Sequence, residues 1–233
     1  MMVPYERVML KLLAESRLDT LARQVVGYII AVCKLSSGRL NQRGSLGVKK
    51  SIPRKEGPIE LRLYVKLVKS RTDAVNVSGS WSENERVLQI SITVGSSEGI
   101  LLGEHLSLIQ QKCYDTVRHE LEHSTQSAEM LSGAKVVNRA LGPTENIWSD
   151  PTAVEAYFTS PAEVAAYVAG IYHAAKRLRI PFIEHVDSLL WNYVKLAKKA
   201  GADMQAMKQV IRNVRERWVA YAQQRFPRAI MDA

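Results

Sequence analysis

T-V-R-H-E-L-E-H-S-T-Q, residues 116 to 126, is the segment from which the rest of the chain is read. It holds His119, Glu120 and His123 in an H-E-x-x-H arrangement. Four residues is a little more than one helical turn, so on a helix both imidazoles leave one face and can meet a single metal ion. Glu120 points beside them. Its carboxylate is then placed to take a proton from a water held by that ion, which is the chemistry of a zinc hydrolase. A histidine pair at i, i+4 also occurs on plain solvated helix faces, so the flanking sequence has to discriminate.

Around the motif, Leu106, Ile109, Cys113, Val117 and Leu121 recur at helical spacing, which predicts a helix from Leu106 to about Met130 with the two histidines along the edge of its buried stripe. Upstream lie three strand patterns. Ile59, Leu61, Leu63, Val65 and Leu67 alternate with polar residues, as do Leu88, Ile90, Ile92 and Val94, and Ala74 to Trp81 is a weaker third. Short turns at Ser70 to Asp73 and Ser82 to Glu85 make an antiparallel meander the simplest connection. One face of that sheet is apolar and needs a helix to cover it. The fold class expected is therefore α+β, a small antiparallel sheet packed on the motif helix.

The N-terminal residues Tyr5 to Lys34 read as one or two amphipathic helices. Ser36 to Pro58, rich in Gly, Ser, Pro and basic residues, reads as a long flexible loop. Leu131 to Thr159 contains Gly133, Gly142, Pro143 and Pro151 and reads mostly as loop, with a helical turn near Val136 to Leu141. Three helices follow, at Pro161 to Leu178, Phe182 to Ala200 and Met204 to Arg225, with Gly201 closing the second and Asp203 capping the third. Leu189, Leu190, Tyr193, Leu196 and Ala197 fall at packing positions of the second, and Met207, Val210, Ile211, Val214, Trp218 and Tyr221 at those of the third. This divides the chain into an α+β part, 1–160, and a helical part, 161–233, that completes the site, together expected to form one compact unit.

The 233 residues carry a net charge of +9, unevenly spread. Lys34 to Pro58 holds seven basic residues and one acidic, and Ile171 to Ala233 twelve against five, whereas Gly95 to Glu163 holds four against ten. The motif thus lies in the acidic part of a basic chain, which suits a cation. The basic loop and C-terminal helices leave a nucleic-acid partner open. Cys33 and Cys113 form neither a C-x-x-C nor a disulfide framework, which excludes a zinc ribbon and points to a reducing compartment. The apolar runs are too short to cross a bilayer and the N-terminus lacks the uncharged stretch of a signal peptide, so a cytoplasmic protein without a membrane partner is expected.

A catalytic zinc takes a third protein ligand and leaves a fourth position to water. Glu163, in Y-F-T-S-P-A-E-V-A-A-Y, is the best candidate. Ser160, Pro161 and Glu163 also make a proper helix start, with serine as N-cap and glutamate closing a capping box, and Glu155, Asp150 and His173 stand as other possible ligands. The pattern H-E-x-x-H-x-x-G-x-x-H does not apply, since Gln126 and Glu129 occupy the glycine and third-histidine positions. Glu122 falls on a different helix face from Glu120 and is expected to be solvated, pairing with Arg118 at i, i+4. His105 and His185 have no partner in sequence and read as structural.

A helix with H-E-x-x-H followed some tens of residues later by a glutamate opening a second helix resembles the gluzincin branch of the zincin metallopeptidases. Tyr157, Pro161, Glu163 and Ala166, in a Y-x-x-x-P-x-E-x-x-A setting, look like metallopeptidases of bacteria and their phages. The resemblance covers about Leu88 to Tyr172 and hints at a phage-encoded or virion-associated origin. It implies that His119, His123 and Glu163 bind Zn²⁺, that Glu120 is the general base, and that a tyrosine or histidine stabilises the oxyanion; Tyr157, Tyr167 and His173 are candidates. It further implies that a protein or peptide substrate lies along the strand preceding the motif helix, Arg86 to Val94, as the sheet edge. A catalytically silent zincin fold that binds nucleic acid is the other class of reading.

Overall fold

A computed structural model describes residues 4–36, 45–54, 57–70, 74–96, 102–127, 130–131 and 144–227. The chain divides into two compact units, Met1–Ser124 and Thr125–Ala233. In the first, helix α1 (Pro4–Leu35) is followed by strands β1 (Ser45–Ile52), β2 (Ile59–Lys69), β3 (Ala74–Ser82) and β4 (Val87–Ser96), a 3-10 turn at Leu102–His105, and helix α2 (Leu106–His123).

The four strands form one mixed sheet in the order β1-β2-β4-β3. β3 and β4 make the expected antiparallel hairpin, but β4 then runs parallel to β2, so the meander expected from the short turns is not what forms. Side-chain chemistry accounts for the order. β4 buries Val87, Leu88, Ile90, Ile92 and Val94 and takes an interior position, while β3, with Asn76, Ser78 and Ser80 exposed, takes the edge, where polar residues guard against unwanted pairing. The other edge is β1, which occupies part of the stretch expected to be a loop. Leu46 and Val48 are half-buried and Ile52 is buried, a period of two partly hidden by Gly47 and by the exposed Lys49 and Lys50.

One sheet face carries Leu61, Leu63, Leu88 and Ile90, each buried, and α1 and α2 lie over it. From α2 the predicted stripe Ile109, Cys113, Val117 and Leu121 is inaccessible to solvent. Each such aliphatic side chain contributes about 1.5–3 kcal/mol on burial. A second stripe of α2, at 114, 118 and 122, is polar and also buried. Tyr114 Oη donates to Asp19 of α1, and Arg118 Nη1 donates to Glu122 Oε2 at 2.8 Å. The Arg118–Glu122 pair therefore forms as expected, but Glu122 is not solvated: it is only 2% exposed, on the side of α2 that packs with α1. Helix α2 stops at His123, short of Met130. At its end Ser124 N donates to Leu121 O at 3.2 Å, an i to i−3 bond that closes the last turn, and the Ser124 hydroxyl donates to the same carbonyl at 2.6 Å.

In the second unit a 3-10 turn at Thr144–Ser149 is followed by helices α3 (Pro151–Thr159), α4 (Pro161–Leu178), α5 (Phe182–Lys199) and α6 (Met204–Arg225). Helix α3 replaces the tail of the expected loop. Asp150 accepts hydrogen bonds from the N–H groups of Thr152 and Ala153, and Pro151 sits at the first helical turn, so residues that read as breakers are a helix start. The turn expected near Val136 to Leu141 lies outside the described residues. Gly201, at φ 79°, closes α5, and Asp203 caps α6 through Gln205 N and Ala206 N. The core centres on Trp218, whose Nε1 donates to Phe158 O at 2.9 Å while its ring stacks on Tyr167. Leu196, expected to pack, is 41% exposed; it lies one position off the buried stripe of Val186, Leu190 and Ala197.

Candidate metal centre

Within α2, Nε2 of His119 and Nε2 of His123 stand 3.2 Å apart, with the rings close to perpendicular at 85°. Helical spacing accounts for the approach, and the buried stripe of Val117 and Leu121 fixes the rotation of the helix that produces it. With metal–nitrogen bonds of ~2.0–2.1 Å, two donors at neighbouring corners of a tetrahedron stand about 3.3 Å apart, so the imidazole spacing already suits one zinc ion. His123 is buried and His119 half-buried.

Glu163 belongs to the first turn of α4 and is 5% exposed. The capping-box alternative fails on its geometry. Ser160 is the N-cap residue, yet its side chain makes no capping bond and its buried hydroxyl has no hydrogen-bond partner among the described residues. The Ser160 N–H, which a capping-box glutamate would accept from, donates to Tyr157 O instead. Glu163 with His119 and His123 forms a group that could hold a metal ion: one ligand atom from each lies within 4.8 Å of the other two. Two imidazoles and one carboxylate are a donor set that can hold a divalent metal ion.

The other ligand candidates are engaged elsewhere. Asp150 caps α3, Glu155 Oε1 accepts from Asn213 Nδ2 at 2.6 Å, and the His173 ring packs edge-on to Tyr172 and Phe226. Gln126 donates to Ala162 O at 2.7 Å. His105 is the N-cap residue of α2 and makes no side-chain capping bond; burial, with Arg177 nearby, lowers the pKa of His185.

Glu120 lies in α2 between the histidines, 8% exposed, with its side chain against β3 at Gly79. β3 rather than β4 is the edge strand beside the motif helix, which corrects the expectation that Arg86 to Val94 forms that edge. Sequence reasoning gave Gly79 no part in the site; its place depends on the register of β3 against α2, which one strand pattern cannot reveal. Among the oxyanion candidates, Tyr157 is half-buried, with its ring 4.9 Å from Phe158 and 6.4 Å from Tyr167. Burial, then the neighbouring Tyr193, Tyr157 and Glu163, hold the Tyr167 hydroxyl well above its ordinary pKa, and it shares a hydrogen bond with Tyr193. Tyr193, a position read as packing alone, is thus a polar neighbour of Glu163.

Comparison of the chain with protein-family models, with curated proteins and with solved structures finds no match. Among the described residues, no helix is long and apolar enough to cross a membrane.

Proposed function

We propose that this chain is a zinc-dependent peptidase of gluzincin type, with His119, His123 and Glu163 as ligands and Glu120 as general base. The observation that carries the reading is the approach of the three donor atoms to within 4.8 Å of one another, with a second acidic side chain, Glu120, one residue along from His119. When bound, zinc supplies Lewis acidity, bringing the pKa of a water toward ~7 and polarising the scissile carbonyl. The Glu120 carboxylate takes up the proton of the attacking water and delivers it to the leaving amine. The Tyr157 hydroxyl is assigned to the oxyanion, since Tyr167 is buried and hydrogen-bonded to Tyr193 and His173 packs against Tyr172 and Phe226.

The substrate in this reading is an extended peptide or unfolded protein segment that adds to the outer edge of β3. β3 fits the part as the edge strand that runs beside α2, with its outward residues Asn76, Ser78 and Ser80 small and polar.

The test is cleavage of a denatured protein substrate by zinc-loaded wild type and by Glu120→Gln. The reading expects cleavage by wild type and a loss of at least about 100-fold in the variant at unchanged zinc content. Wild type that holds zinc yet leaves the substrate intact would contradict it.

One feature favours the second class of reading, nucleic-acid binding. Trp191 on α5 is 60% exposed, with Lys195 Nζ 6.0 Å from its ring and the exposed Lys198 and Lys199 nearby in the same helix. An exposed indole among lysines suits a base stacked against a neutralised phosphate backbone. Binding of a single-stranded oligonucleotide that weakens steeply with salt and is lost in Trp191→Ala would support this reading; salt-independent or absent binding would remove it.

A further inference from the structure

Strand β3 and helix α2 run side by side. Lys112 Nζ donates to Val75 O at 2.6 Å, and one and two helical turns further on, Thr116 and Glu120 lie against Gly79. A Cβ placed on Gly79 would stand 2.7 Å from Cγ of Glu120, 2.7 Å from Cγ2 of Thr116 and 3.1 Å from Oε1 of Glu120. Carbon atoms in ordinary contact stand ~3.5–4.0 Å apart, so no side chain fits there while Glu120 keeps its place. Backbone conformation is not the reason for glycine. Among the described glycines only Gly57 and Gly201 have positive φ, and Gly79 lies in regular strand paired opposite Ile90.

We propose that Gly79 is the positioning residue for Glu120: its missing side chain makes a notch in the edge strand that holds the Glu120 carboxylate beside the two histidines. The role rests on the peptidase reading for its effect on turnover, but the contact itself does not. A methyl group at position 79 turns the Glu120 side chain away from the strand while leaving the imidazoles of His119 and His123 on their own face of the helix. Gly79 therefore governs proton transfer and not ion binding. Gly47, on the opposite edge strand, offers a control, since a Cβ there would meet only the Tyr64 ring, at an ordinary 3.7 Å.

The experiment has two arms on the full chain. In the first, Gly79→Ala is expected to keep the zinc content of wild type and a KM within about twofold, while kcat falls about 100-fold, as a misplaced base would cause. Gly47→Ala keeps kcat. In the second, the thermal midpoint is measured for Gly79→Ala in wild type and in a Thr116→Ser, Glu120→Ala background, which removes the three atoms that would stand nearest to the new methyl group. The expected result is a lowered midpoint in wild type only. If Gly79→Ala fails to fold in wild type yet folds in that background, the contact is likewise supported. Unchanged kcat, or an equal loss of midpoint in both backgrounds, would overturn the proposal. Should wild type cleave nothing, the first arm has failed with the peptidase reading and the second decides the notch alone.

Discussion

Arg118 and Glu122 show how far single residues can be read ahead of a structure. Their i, i+4 spacing announced the pair, yet nothing local announced that both partners lie under 3% exposed beside α1. Removing one partner of such a pair strands the other charge in a medium that cannot solvate it. Arg118→Met is therefore expected to cost about 3–5 kcal/mol in urea unfolding, and Arg118→Met with Glu122→Leu to recover most of it. An equal loss in the single and double variants would place the energy in packing instead. The same distinction applies in the metal centre. His119, Glu120 and His123 are legible because one helical turn sets their relation, whereas Glu163, forty residues on, stood out only in competition with a capping role, which a hydrogen bond from Ser160 N to Tyr157 O resolves. Gly79 was not legible at all, because its meaning lies in a strand–helix register.

Elements with chemical punctuation were readable to within a residue. Pro161, Gly201 and Asp203 mark the ends of α4, α5 and α6 where they were expected. Asp203 gives a direct measure of one such signal. Its carboxylate accepts from two otherwise unpaired N–H groups, so Asp203→Ala should cost about 1 kcal/mol in denaturant unfolding, with Asp203→Asn costing much less. An unchanged midpoint in the alanine variant would mean the cap contributes nothing. Elements whose signals were mixed were lost. β1 was hidden by glycine and lysine, α3 by a proline that starts it, and the parallel pairing of β2 with β4 by the fact that strand order is a non-local property. For β1 and the β2–β4 pairing the tertiary contacts of buried side chains outweighed the local preference of the segment, whereas α3 follows a local signal, Asp150 before Pro151, that also reads as loop.

At the scale of the whole molecule, +9 of net charge coexists with an acidic group that converges on two imidazoles. Stability should carry a pH signature from His185, whose pKa burial and Arg177 hold below the usual 6.5. The unfolded chain then takes up a proton before the folded one, so stability is full above 6.5 and declines as pH falls below it. Unfolding of wild type and His185→Gln at about pH 7.5 and about pH 5.5 should show a smaller acid loss in the variant, and equal losses would exclude this source. The most direct test of the metal centre is titration of metal-free protein with zinc, followed by X-ray absorption at the zinc edge. One ion per chain is predicted, held by two imidazoles and a carboxylate at ~2.0–2.2 Å, with binding weakened in His119→Ala, His123→Ala and Glu163→Ala alike. Absence of zinc binding, or binding that none of the three substitutions disturbs, would contradict the account.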